Sequence, residues 1–131
     1  MNKLLAFLVS IEIGIASWYG PGFFGQPMAN GEIFTPDVWC IAHKTLPLNS
    51  WVLILGEGKT LKVRVCDRGP YGPPDWIIDL SPRVARELWG PDRFGVTPSG
   101  IPYGGGKVLI IPLLEEGAIE ETGRPVLAGD Q

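Results

Sequence analysis

The sequence has few of the residues that most metal and redox chemistries require. It contains one histidine, His43, and two cysteines, Cys40 and Cys66. Cys40 and His43 form a C-x-x-H pair, but no second pair stands at ligand spacing, so neither a metal site nor a cofactor is expected. The two cysteines suit either a disulfide between two predicted strands or a pair of small buried thiols. Long apolar runs are also missing. The stretch from Leu4 to Ile11 is too short to span a bilayer and meets Glu12 at once, so no stable membrane insertion is expected. Basic residues are in slight deficit, 11 Lys and Arg against 14 Asp and Glu, for a net charge of −3. That balance gives no electrostatic reason to bind nucleic acid or an anionic membrane. Charged residues make up only 19% and hydrophobic ones 45%, which excludes a disordered tail.

Glycine and proline are abundant instead, at 18 and 13 of 131 residues. Both break helices and build turns, so a helical bundle is excluded and short strands joined by shaped loops are favoured. The length suits one domain. Ile11 to Trp18 alternates as a strand and ends in the turn Tyr19-Gly20-Pro21-Gly22. Trp39 to Ala42 is a short apolar strand. Trp51 to Leu55 and Leu61 to Val65 flank Gly56-Glu57-Gly58-Lys59, a hairpin connection. Ile77-Ile78 forms another strand leading into Asp79. Pro82 to Trp89 is the one convincing helix: Ser81 can cap it, Pro82 suits its first position and Gly90 can end it. Val84, Ala85, Leu88 and Trp89 share one face of that helix. Val108 to Leu113 closes the series. Many strands, one short α-helix and no βαβ rhythm indicate a mainly β fold, a small barrel.

At the ends, residues 1–10 read as an N-terminal apolar extension or vestigial signal, with Met1-Asn2-Lys3 before the apolar run. No lipobox cysteine follows, so lipid anchoring by that route is not expected. The barrel is assigned to 11–114. Residues 115–131 form an acidic, turn-rich tail, a candidate surface for protein assembly.

Five segments carry a family likeness: Ala16-Ser17-Trp18-Tyr19-Gly20, Ala29-Asn30-Gly31-Glu32-Ile33-Phe34, Ala42-His43-Lys44-Thr45-Leu46-Pro47, Asp67-Arg68-Gly69-Pro70-Tyr71 and Ile77-Ile78-Asp79-Leu80-Ser81. In this order and spacing they resemble the RlpA-like (rare lipoprotein A) family. The resemblance implies a six-stranded double-psi β-barrel, related to expansins and to lytic transglycosylases that cut peptidoglycan glycan strands. The chain departs from the family's pattern in lacking the lipobox and a C-terminal peptidoglycan-binding repeat. The segment Gly72 to Trp76 makes an unusual rim, and Asp92 to Gly106 is longer and richer in glycine than a minimal barrel needs.

Glycan cleavage needs a carboxylic acid to protonate the departing oxygen. The resemblance assigns that role to Asp79. A helix N-terminus just beyond it favours the anion, so apolar neighbours such as Trp76 or Ile78 have to raise its pKa; the alternative is an Asp that caps the helix. Asp67 is the second carboxylate, orienting substrate or tuning Asp79, or else an Asx turn or ion pair. Glu32 and His43 match positions implicated in the family's groove, with a solvated loop acid and a structural histidine as the plainer readings. Trp18 and Tyr19 resemble the aromatic pair placed beside such grooves, where sugar rings stack on aromatic faces; core packing is the rival for Trp18. Arg68 can bind a muramyl carboxylate or pair with Asp67 or Asp79. Tyr71 and Trp76 complete the candidate substrate contacts.

The leading expectation is therefore a lytic-transglycosylase-like peptidoglycan lyase that forms 1,6-anhydro-muramyl ends. The alternatives are a non-catalytic, expansin-like glycan-binding module and a structural wall-active component of a phage virion. The partner expected is the peptidoglycan glycan strand, and the site of action is the cell envelope or another extracytoplasmic place.

Overall fold

The computed structural model describes residues 11–113. The apolar extension and the acidic tail assigned from sequence lie outside them. The elements in chain order are β1 (Glu12–Trp18), β2 (Cys40–His43), β3 (Trp51–Gly56), β4 (Lys59–Asp67), β5 (Trp76–Leu80), α1 (Pro82–Trp89), β6 (Gly95–Val96), β7 (Pro102–Tyr103) and β8 (Gly106–Pro112). A single 3-10 turn, Pro21–Phe23, follows β1.

Six strands close a double-psi barrel in the order β1-β5-β2-β4-β3-β8. Two neighbouring pairs are parallel, β1 with β5 and β2 with β4, while the other contacts are antiparallel. Alternation explains which side chains fill the interior. In β3, Val52 and Ile54 are buried while Trp51, Leu53 and Leu55 are only partly so. Val63 and Val65 of β4, Ile78 and Leu80 of β5 and Ile110 of β8 join them with almost no exposure. Each such side chain contributes about 1.5–3 kcal/mol by leaving water.

The hairpin between β3 and β4 is tighter than the four-residue connection expected. Pairing runs through Gly56↔Lys59, so only Glu57 and Gly58 turn. Both have positive φ, 53° and 72°, as a two-residue hairpin of matching twist requires. β4 also extends two residues past Val65, which makes Asp67 the last residue of a strand.

Helix α1 has the expected bounds and buries Val84, Ala85, Leu88 and Trp89 against the barrel. Gly90 follows it with φ 83°. Ser81 does not cap it by its side chain. Its hydroxyl donates instead to the Val38 carbonyl at 2.7 Å, fixing the helix start to the segment before β2. The small β6–β7 sheet has no counterpart in the sequence reading, because two-residue strands are too short to show alternation.

A second, smaller core lies under the loops after β1. Met28, Phe34, Cys40 and Cys66 form it, with Tyr19, Phe24 and Val38 packed around them. Cys40 and Cys66 are joined there in a disulfide, with Cα atoms 5.7 Å apart, tying the start of β2 to the end of β4.

Candidate functional site

Strand register assembles the acidic centre. Asp79 of β5 lies opposite Ser17 of parallel β1 and opposite Ala42 of antiparallel β2. Ala42 in turn lies opposite Asp67 of β4. Four adjacent strands therefore present Ser17, Asp79, Ala42 and Asp67 in one row. With about 4.8 Å between strands, the two aspartate backbones are separated by roughly 10 Å across a single small residue.

Both aspartates line one groove of about 690 Å³. One wall comes from Trp18 through Phe23, another from Arg68 through Gly72 with Trp76, and a third from Pro102 and Gly104. At the rim Tyr71 is 83% exposed, Phe23 56% and Trp76 37%, so aromatic faces stand open to a ligand.

The two carboxyls sit in different surroundings. Burial pushes the Asp79 pKa up, a hydrogen bond from Ser17 opposes that rise, and the negative charge of Asp67 adds to it. The Ser17 hydroxyl donates to Asp79 Oδ1. The other oxygen, Oδ2, lies beside Gly69, where a Cβ would come within 3.4 Å of it. Asp67 Oδ1 accepts two backbone N–H groups, those of Ala29 and Arg68, each at 2.9 Å. Those two N–H groups hold the Asp67 carboxylate in a fixed orientation.

The aromatic pair divides as neighbouring residues of an extended chain do. Trp18 packs edge-on against Phe94 at 5.1 Å and donates its indole N–H to the Tyr103 carbonyl at 2.7 Å. It is thus part core and part groove wall. Tyr19 stacks on Phe34 at 4.1 Å in the small core, and its hydroxyl donates to the Met28 sulfur at 3.8 Å. Burial first, then the charges of Asp67 and Asp79, hold the Tyr19 phenol far above its usual pKa.

Three residues behave differently from the sequence expectation. The Arg68 guanidinium turns to backbone, donating to the carbonyls of Leu46 at 2.7 Å and His43 at 3.2 Å. Among the described residues it joins no ion pair with Asp67 or Asp79. His43 is buried, 3% exposed, and is not among the residues lining the groove. Its Nδ1 accepts the N–H groups of Thr45 and Leu46, both at 3.0 Å, which leaves the ring proton on Nε2 to bond Glu12 Oε1 at 2.6 Å. The carboxylate it orients is therefore Glu12, not a groove acid. Glu32 also stands outside the groove lining, and its carboxylate meets Arg64 at 2.6 Å. The disulfide occupies Cys40, so this residue does not offer a thiolate beside His43.

Sequence reasoning assigns no role to Ser17, Ala42, Glu12 or Asn30. Ser17 and Glu12 meet partners 62 and 31 residues away, which strand order brings together, while Asn30 bonds Glu32 two residues on within a loop.

A family model described as lytic transglycolase matches residues 11–99. The probable endolytic peptidoglycan transglycosylase RlpA of Synechocystis sp. is 42% identical over 98 residues, covering 73% of this chain and 28% of the relative. The endolytic peptidoglycan transglycosylase RlpA of Pseudomonas aeruginosa is 50% identical over 90 residues, covering 67% and 25%. That of Pasteurella multocida is 40% identical over 117 residues, covering 88% and 37%. The chain thus spans well under half the length of these curated relatives. Among solved structures, the Streptomyces papain inhibitor (SPI) matches with a TM-score of 0.58 at 19% identity, covering 79% of this chain and 94% of that one, a likeness of fold.

Proposed function

Since the chain belongs to the RlpA-like family of lytic-transglycosylase double-psi barrels, we propose that it cleaves peptidoglycan glycan strands and leaves 1,6-anhydro-muramyl ends. The observation that carries this reading is the convergence of Asp67 and Asp79 on one aromatic-lined groove, where burial raises the pKa of Asp79. A carboxyl that keeps its proton is what protonation of a departing glycosidic oxygen requires.

In the proposed reaction Asp79 is the acid. Its raised pKa keeps a proton available, and Ser17 holds one oxygen so that the other serves the groove. The proton passes to the glycosidic oxygen as the bond to the muramyl anomeric carbon breaks. Asp67, held by two N–H groups, supplies negative charge that stabilises the oxocarbenium-like centre. The muramyl C6 hydroxyl then closes onto that carbon, and its proton returns to Asp79. No water is consumed, so one acid acting twice suffices. Tyr71 and Trp76 supply ring faces for the sugars, with Trp18 and Tyr19 in the groove wall beside them.

The test is digestion of purified sacculi and of peptide-free glycan strands, with products read by mass spectrometry. Anhydromuropeptides are expected. Reducing ends without the anhydro sugar would instead indicate hydrolysis. Binding to sacculi with no soluble product from folded protein would replace the enzyme by an expansin-like binding module, a reading that the open aromatic rim also suits.

A further inference from the structure

We propose that Glu32 is a positioning residue that fixes Asp67 through the loop between Met28 and Phe34, and that it does not meet substrate. This inference rests on the reading of the groove above and concerns how its second carboxylate is kept in place.

Both oxygens of Glu32 are engaged. Oε1 lies 2.6 Å from Arg64 of β4, and Oε2 accepts the Asn30 side-chain amide at 2.9 Å. Asn30 answers with its own oxygen, which accepts the Glu32 N–H at 2.9 Å, and its amide also donates to Asn49 Oδ1 at 2.9 Å. The turn between them is closed by Met28 N–H on the Glu32 carbonyl at 2.7 Å and Gly31 N–H on the Met28 carbonyl at 2.9 Å. Asn30 N–H then bonds the Cys66 carbonyl at 3.0 Å, one residue before Asp67. Ala29, inside this clamped turn, donates its N–H to Asp67 Oδ1.

The loop therefore grips β4 at separate points. Glu32 takes hold at Arg64, Asn30 at Cys66, and Ala29 at the Asp67 carboxylate itself. The Glu32–Arg64 pair is too exposed to matter much for stability, with side chains 47% and 29% accessible, because water screens the charges. Its effect is geometric, because a small displacement of a reacting group can cost about a hundredfold in rate.

The experiment compares Glu32→Gln with Glu32→Ala in the full chain. Glutamine retains a side-chain oxygen for Asn30 or Arg64 but cannot transfer a carboxyl proton. The expected result is that Glu32→Gln stays within about fivefold of the parent, where loss of a proton-transferring group costs about 10²–10⁴-fold. Glu32→Ala lowers kcat about tenfold to a hundredfold with KM unchanged. The Ala29 amide, followed by hydrogen exchange, loses protection in Glu32→Ala and keeps it in Glu32→Gln. Equal damage by both substitutions with the Ala29 amide still protected would overturn the proposal and put Glu32 in the chemistry. If the parent yields no glycan product, the reading of the groove falls. The Ala29 comparison then decides the role of Glu32 by itself: loss of protection in Glu32→Ala supports it, and unchanged protection overturns it.

Discussion

Asp79 is where burial and chemistry meet most directly. Its pKa is raised, chiefly by burial, so the folded protein binds that proton more tightly than the unfolded chain does. The sign follows by linkage. Below the unfolded carboxylate pKa the group costs nothing, and as pH rises through that value toward the folded one, stability is lost. Asp79→Asn therefore raises the melting temperature at pH 7, with the gain disappearing at low pH. The same substitution lowers glycan cleavage about 10²–10⁴-fold, since the amide has no proton to give. Calorimetry across pH, beside product assays, checks both halves. Ser17→Ala removes the hydrogen bond that holds the Asp79 pKa down. The alkaline limb of the pH–rate profile then moves to higher pH, while Ser17→Thr keeps it in place. A profile unmoved by Ser17→Ala would remove Ser17 from the mechanism.

Among the elements, legibility followed local signals. Helix α1 could be read to the residue because its first-turn proline, its trailing glycine and its four-residue apolar face all lie within one short stretch. Ser81 misled because a cap and a tertiary bond use the same hydroxyl, and here the Val38 carbonyl takes it. The strands were visible as apolar alternation, yet their ends were not, since Asp67 at the end of β4 breaks the apolar pattern while still pairing with Ala42. The link between β2 and β4 carries its own expectation. The disulfide closes a stretch with a sequence separation of 26, which by chain entropy is worth about 3.5 kcal/mol. Denaturant unfolding with and without reductant should show a loss of that order. A midpoint unchanged by full reduction would mean that the small core around Met28 and Phe34 holds without it.

For the molecule as a whole, the groove was only half legible. The family motifs marked Asp67, Asp79, Trp18, Tyr19 and Tyr71, but they could not reveal that His43 turns to Glu12 or that Arg68 turns to backbone carbonyls. Those choices are made by burial and by strand order, neither of which has a local spacing. Because three loop regions on a rigid barrel build the rim, binding and folding separate cleanly there. Tyr71 is 83% exposed, so Tyr71→Ala leaves unfolding free energy within about 0.5 kcal/mol of the parent. Its lost ring face weakens retention on glycan strands by about 0.5–1.5 kcal/mol, roughly twofold to tenfold. Sedimentation with sacculi beside a melting curve separates the two, and equal retention would place the sugars elsewhere.

Closure of the six strands has a quieter consequence for how this protein keeps company. Each barrel strand has a neighbour on both sides along part of its length, so the described residues of the barrel present only short runs of unpaired amides and carbonyls, such as the first half of β4, for another chain to extend. Copies that meet through the barrel wall therefore recognise one another mainly by side chains.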